Sequence, residues 1–215
     1  MRISESLSKR ILVICFSTIV LSLISILMLS GCTQKVSPVA QQAKLIYILG
    51  DVSINDAPAK LGQILQNNSL IKTGKESTAE IRMGTLTGAQ IRENSQVKIV
   101  QDENGWNVVS QVGAVLSLVQ KGTNYHLRSP AAVMAVRGTI FYTHTYNDST
   151  HYVCTCNGTV DIMHDHTTTK TVSAPHHEGY TVMKTASGHR LEPAPMKEHE
   201  DVQIFEFMYR LDTAK

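Results

Sequence analysis

An all-β domain closed by a short C-terminal α-helix is the fold class that this sequence predicts. Three observations predict it. From Lys44 to about Met163, apolar and polar residues alternate with period two, as in TAEIRMG and AQIRENSQVKIV. Turn-forming pairs cut that pattern into strands at roughly ten-residue spacing: Gly50-Asp51, Asn55-Asp56, Asn104-Gly105, Asn147-Asp148 and Asn157-Gly158. No stretch before residue 197 carries a helical period of about 3.6 residues. The architecture expected is a twisted sandwich or a short β-solenoid.

The elements follow in order. Residues 1–31 open with Arg2, Lys9 and Arg10, continue as the apolar run ILVICFSTIVLSLISILML, and end at Leu29-Ser30-Gly31 before Cys32. A basic start, an apolar centre and small residues at a cleavage point make a secretory signal. The LSGC ending resembles the lipobox of bacterial lipoproteins. That resemblance implies cleavage before Cys32, acylation of Cys32 and a lipid anchor in the membrane. By the same resemblance, Thr33, where an aspartate would signal retention, implies the outer membrane. An uncleaved membrane span is the other reading of the run, since a span takes about 20 residues. Residues 32–43, polar after the cysteine, are expected to form a tether.

Residues 44–163 form the β domain, and 164–215 a histidine-containing extension that ends in the helix. In EHEDVQIFEFMYRLD, Val202, Phe205, Met208 and Tyr209 recur at helical spacing, with Glu198, Glu200 and Asp201 near the positive end of the helix dipole. That stripe is expected to pack on the sheet, with docking of an envelope protein partner as its functional alternative. The net charge of +2 and the lack of a basic cluster argue against nucleic acid as a partner.

Several stretches together resemble the FecR family: GDVSIND, KLGQILQNNSLIKTGKESTAEIRMGTLTGAQIRENSQVKI, VGAVLSLVQKG, HLRSPAAVMAVRGTIFYT and GTVDI. The run Ala132, Val136, Arg137, Gly138, Thr139 and Phe141 is the most specific part. The resemblance implies a β module outside the inner membrane. In the named members of the family, that module belongs to regulators of iron uptake that handle a sigma factor. About ten residues precede the apolar run here, so the extracytoplasmic module is the part expected to carry over. Arg137 is expected to be structural, paired with a carboxylate or with strand-edge carbonyls.

Two features depart from the family. His126 to Ser129 replace the residues usual before the proline. The second is the more important. HYVCTCNG, residues 151–158, places two thiols where plain β-branched residues are usual. Of the four cysteines, Cys15 lies in the signal and Cys32 is the lipidation site, which leaves Cys154 and Cys156. With Val160 and Ile162 as a core pair after Gly158, and Val153 with Thr155 as the incoming equivalents, both thiols fall on the opposite strand face with Tyr152. Three readings stay open. Both can be small buried residues. A disulfide between same-face neighbours spans about 6.6–6.8 Å of backbone and would be strained and redox-active. A metal ion tolerates the spacing better.

Nitrogen ligands are at hand in His176, His177 and His199. Soft sulfur with imidazole suits zinc, iron or copper. Adjacent histidines on an extended chain point to opposite sides, so one of His176 and His177 is the natural ligand. No nucleophile elbow or phosphate loop is present, and Gly84 and Gly88 read as turn glycines. The thiols sit before an expected Asn-Gly hairpin, not at a helix N-terminus where a catalytic thiol would be activated. The expectation is therefore a non-enzymatic binding or sensing lipoprotein of the cell envelope. A FecR-type signalling regulator and a thiol redox protein are the alternatives.

Overall fold

The computed structural model describes residues 42–164 and 167–214. The signal, Cys32 and nearly all of the tether lie outside these residues. Gln41–Lys215 forms one compact unit. Its strands are β1 (Ala43–Leu49), β2 (Val52–Ile54), β3 (Ala57–Pro58), β4 (Ile64–Leu65), β5 (Ser69–Thr73), β6 (Thr78–Met83), β7 (Thr87–Ile91) and β8 (Gln96–Asp102). They continue as β9 (Gly105–Leu118), β10 (Tyr125–Arg128), β11 (Val133–Val136), β12 (Ile140–Asn147), β13 (Thr150–His164), β14 (Thr167–Ala174), β15 (Glu178–Thr185) and β16 (Gly188–Ala194). One helix, α1 (Asp201–Thr213), closes the chain.

The strands form two layers that share two long strands. The first sheet runs β4-β1-β6-β7-β9-β12-β13-β15-β16. The second runs β3-β2-β5-β8-β9-β10-β11-β13-β14. All these pairs are antiparallel except β9 with β10. The all-β class and the terminal helix are as the sequence predicts, and the architecture is the sandwich.

Strands β9 and β13 must bend to cross between layers, and each does so at a glycine with positive φ. Gly113 has φ +90° and Gly158 φ +113°, a region that side-chain-bearing residues reach only with strain. Space forbids a side chain at Gly113 as well, because a Cβ there would lie 2.1 Å from Ser95 Oγ. Asn157-Gly158 is therefore not the hairpin that its sequence suggests; β13 runs straight through it. The bend also inverts the parity of the strand. Val153 and Thr155 face the interior before it, Val160 and Ile162 after it.

Between the layers lies the main core, which includes Leu45, Ile71, Ile81, Val97, Trp106, Tyr125 and Phe141. A second apolar cluster covers the outer face of the first sheet. There Ala114, Leu116, Tyr142 and Tyr152 meet Ile204, Phe207 and Leu211 of α1. This explains why β7 is buried at every position while β8 alternates: β7 has the core on one face and the helix on the other. Gly88 is not a turn residue but lies within β7. A Cβ at that position would meet Phe207 Cζ and Leu211 Cδ1, each at 2.9 Å.

The helix turns a different face to the sheet from the one expected. Ile204, Phe207 and Leu211 are buried, whereas Val202, Phe205, Met208 and Tyr209 are exposed. An ion pair makes the choice. Arg210 reaches down to the fully buried Glu80 carboxylate through Nε at 2.8 Å and Nη2 at 2.7 Å, and Gln90 Nε2 donates to the same carboxylate at 2.7 Å. A bare buried carboxylate would be costly, so the helix settles with Arg210 facing inward. The extension does not stand apart either. Its β14, β15 and β16 continue the two sheets.

Candidate metal centre

The outer face of β13 presents Cys154 and Cys156, both buried and neither in a disulfide. Neighbouring strands leave room above them. Cys154 pairs with Tyr142 on one side and with Gly179, which has no side chain, on the other. His177 enters from the turn between β14 and β15, in a left-handed conformation at φ 33°. That turn is fastened by the His177 N–H donating to the Cys156 carbonyl at 3.2 Å and by Asn157 Nδ2 donating to the Pro175 carbonyl at 2.9 Å. His199 arrives from the segment before α1, buried and stacked on Tyr142 with ring centroids 4.4 Å apart.

The four ligand atoms lie within 4.8 Å of one another. Cys154 Sγ is 3.6 Å from His177 Nδ1, Cys156 Sγ is 3.3 Å from His199 Nε2, and the two nitrogens are 3.3 Å apart. A tetrahedral ion with sulfur bonds of about 2.3 Å and nitrogen bonds of about 2.0–2.1 Å sets S···N near 3.5 Å and N···N near 3.3 Å. These three separations match edges of that tetrahedron, and the remaining pairs lie within 4.8 Å. It has room for one ion and is too tight for a two-iron cluster with its ligands split between irons.

The partners of the two imidazoles fix which nitrogen faces inward. His177 Nε2 donates to Asp201 Oδ1 at 2.8 Å, and His199 Nδ1 donates to the Lys197 carbonyl at 2.7 Å. In its neutral form each ring therefore turns its unprotonated nitrogen toward the other. Two lone pairs at 3.3 Å repel unless a proton or a cation lies between them. A metal-bound histidine typically has its second nitrogen donating to a carboxylate or carbonyl, and both histidines here are held in that way. His176 points outward instead, 70% exposed, with Nε2 3.1 Å from Asp201 Oδ2. Of the five candidate ligands, the fold thus gathers Cys154, Cys156, His177 and His199, and leaves His176 with Asp201 at the rim.

Proton affinities follow the same contacts. The Cys154 thiol is lowered, first by the hydrogen bond from Cys156 and then by those from His199 and His177, against the effect of burial. The Cys156 thiol is raised by its hydrogen bond with Cys154 and by burial. For His177, burial disfavours the cation, but Asp201 and Cys154 together outweigh it and raise its pKa. Asp201 is lowered by its hydrogen bonds with His177 and His176.

Sequence reasoning missed the residues that aim the ligands. Asp201 is one; it was read only as a dipole-compensating acid, although an acid two residues after a candidate histidine is the available signal. Glu198 is another. At φ 61°, it accepts hydrogen bonds from Tyr142 and Tyr146 at 3.2 and 3.0 Å and pairs with His144. Those three residues alternate along one face of β12, so Glu198 pins the segment carrying His199. Arg137, expected to be paired, is exposed and makes no ion pair among the described residues. It lines a pocket of about 580 Å³ with Asn104, Asn124, His126 and Asp161.

With this geometry established, comparison with known proteins identifies the class. A family model described as FecR protein matches residues 69–161. Residues 69–161 thus resemble a FecR domain, and the specific run from Ala132 to Phe141 lies inside the match. Two crystal structures of a proposed anti-sigma factor from Parabacteroides distasonis ATCC 8503 share the fold. One gives a TM-score of 0.50 and the other 0.51, each at 14% identity and over 63% of this chain. This chain spans 63% and 64% of their lengths. At that identity the likeness concerns the fold alone. No curated protein matches the sequence. Among the described residues, no helix is long and apolar enough to cross a membrane.

Proposed function

We propose that the chain is a FecR-type signalling regulator of the cell envelope whose β module binds one transition-metal ion as its input. The ligands are Cys154, Cys156, His177 and His199, and the ion is zinc, since a tetrahedral S₂N₂ set with no open position suits a closed zinc site better than copper or non-haem iron. The observation that carries the reading is the tetrahedral spacing of the four ligand atoms, with both imidazoles aimed by outer partners. The FecR match and the fold shared with a proposed anti-sigma factor support the regulatory part. Acylation at Cys32 would hold the module at a membrane, in keeping with its LSGC context. The module acts by binding, with no catalytic step. A thiol redox role fits less well, because both thiols are buried and lie on a strand.

The test is metal content together with gene expression. The full-length chain, purified in detergent under anaerobic conditions, should hold one zinc per chain, and Cys154→Ser/Cys156→Ser should hold none. Cells carrying that double variant should lose a transcriptional response to zinc limitation that wild-type cells show. Equal, near-zero metal in both proteins would end the metal reading. Unchanged transcript profiles beside a filled wild-type site would end the regulatory one.

A further inference from the structure

The site draws its groups from two parts of the chain. Cys154, Cys156 and His177 belong to the sheet and its turn, whereas His199 and Asp201 belong to the lead-in and first turn of α1. Cys156 and His199 are 43 residues apart in sequence. An ion bound here is therefore a cross-link between the sheet and the N-terminal end of the helix. The other attachments of that lead-in are few: Glu198 on β12, and the Tyr152 hydroxyl donating to the Pro195 carbonyl at 2.9 Å.

We infer that the metal is a latch for α1: bound, it holds the helix in its groove on the outer face of the first sheet, and lost, it lets the helix leave. This inference rests on the metal reading above and adds what the ion controls. Three observations carry it. First, His199 Nε2 lies 3.3 Å from both Cys156 Sγ and His177 Nδ1, so losing the ion removes the bonds that would tie the helix lead-in to the sheet. Second, the helix has an apolar stripe on both sides, Ile204, Phe207 and Leu211 within and Val202, Phe205 and Tyr209 without. Burial therefore favours the docked face less strongly than it would for a one-sided helix. Third, α1 supplies no residue to the core between the two sheets. Both sheets and the core between them are complete without it. Its departure bares Leu116, Tyr142 and the carboxylate of Glu80, the surface that the latch conceals.

Hydrogen exchange of the full-length chain in detergent, with one equivalent of zinc and after chelation, tests the inference. In the metal-free chain, amides of 201–213 should exchange at least about tenfold faster. Those of β5 and β8, on the far layer, should keep their rates. Zinc bound with unchanged helix protection overturns the latch and leaves the metal site standing. Protection lost throughout the fold also overturns it, because the ion would then support the whole domain. No zinc uptake overturns both readings. Coupling is reciprocal, so a wedge under the helix far from the ligands must weaken the metal. In Gly88→Val, added methyls collide with Phe207 and Leu211, and zinc affinity should fall at least about tenfold. A folded Gly88→Val chain with wild-type zinc affinity contradicts the coupling.

Discussion

Replacing Arg210 by methionine tests how the helix is seated. The substitution keeps an apolar stem and removes the guanidinium. The Glu80 carboxylate is fully buried and accepts two hydrogen bonds from Arg210 and one from Gln90. Without Arg210 only the amide remains, and a buried charge stripped of its partner typically costs about 3–5 kcal/mol. Glu80→Gln removes the buried charge itself. The arginine it leaves is 29% exposed and lies 4.7 Å from the Tyr47 ring, so that variant should lose only about 1.5 kcal/mol. Combining the two changes should recover about 2 kcal/mol relative to Arg210→Met alone. Urea unfolding of the zinc-loaded chain, followed through the single buried Trp106, gives all four corners of the cycle. Arg210→Met as stable as wild type, or no recovery in the double variant, would refute the argument that a buried carboxylate dictates which helix face turns inward.

Other outcomes follow from the same geometry. Asp201→Asn removes the acceptor that orients His177, and zinc affinity in a competition titration should drop about 10–100-fold, with His176→Ala close to neutral; the reverse order would contradict the assigned ligands. His151 is fully buried, donates to no partner through Nε2 and has its pKa lowered by burial to about 3. The unfolded chain takes up that proton below about pH 6.5 and the folded chain does not, so stability is fully present above pH 6.5 and falls as the pH drops. The loss should be up to about 1.4 kcal/mol per pH unit down to about pH 3; in zinc-free protein, His151→Gln should flatten this part of the slope in urea titrations. Gly113→Ala places a Cβ 2.1 Å from Ser95 Oγ at positive φ, and thermal unfolding should show a loss of at least about 2 kcal/mol.

Much of this was legible in the chain because a strand has only two faces. Once Val153 and Thr155 were set inward on the incoming strand, the side on which Cys154 and Cys156 lie followed from parity. The parity inversion at Gly158 was not foreseen as a bend, because Asn-Gly signals a hairpin locally and only the second layer shows that β13 must continue. The helix face could not be read for a comparable reason. Two apolar stripes with similar spacing compete, and the one that wins is selected by Glu80, 130 residues away from Arg210. Strands β14 to β16 escaped notice because TTTKTVSA and its neighbours are polar and threonine-rich, which blurs the alternation. Long-range partners such as Asp201 for His177 depend on where a turn meets a helix start, which spacing along the chain does not encode.

The most direct measurement is a cobalt(II) titration of the anaerobic full-length chain, read by visible and near-ultraviolet absorption. One cobalt per chain should give the intense bands of a tetrahedral ion and a thiolate-to-cobalt charge-transfer band, all lost in Cys154→Ser/Cys156→Ser and displaced by one equivalent of zinc. A weak octahedral spectrum, or one that the double variant reproduces, would contradict the account.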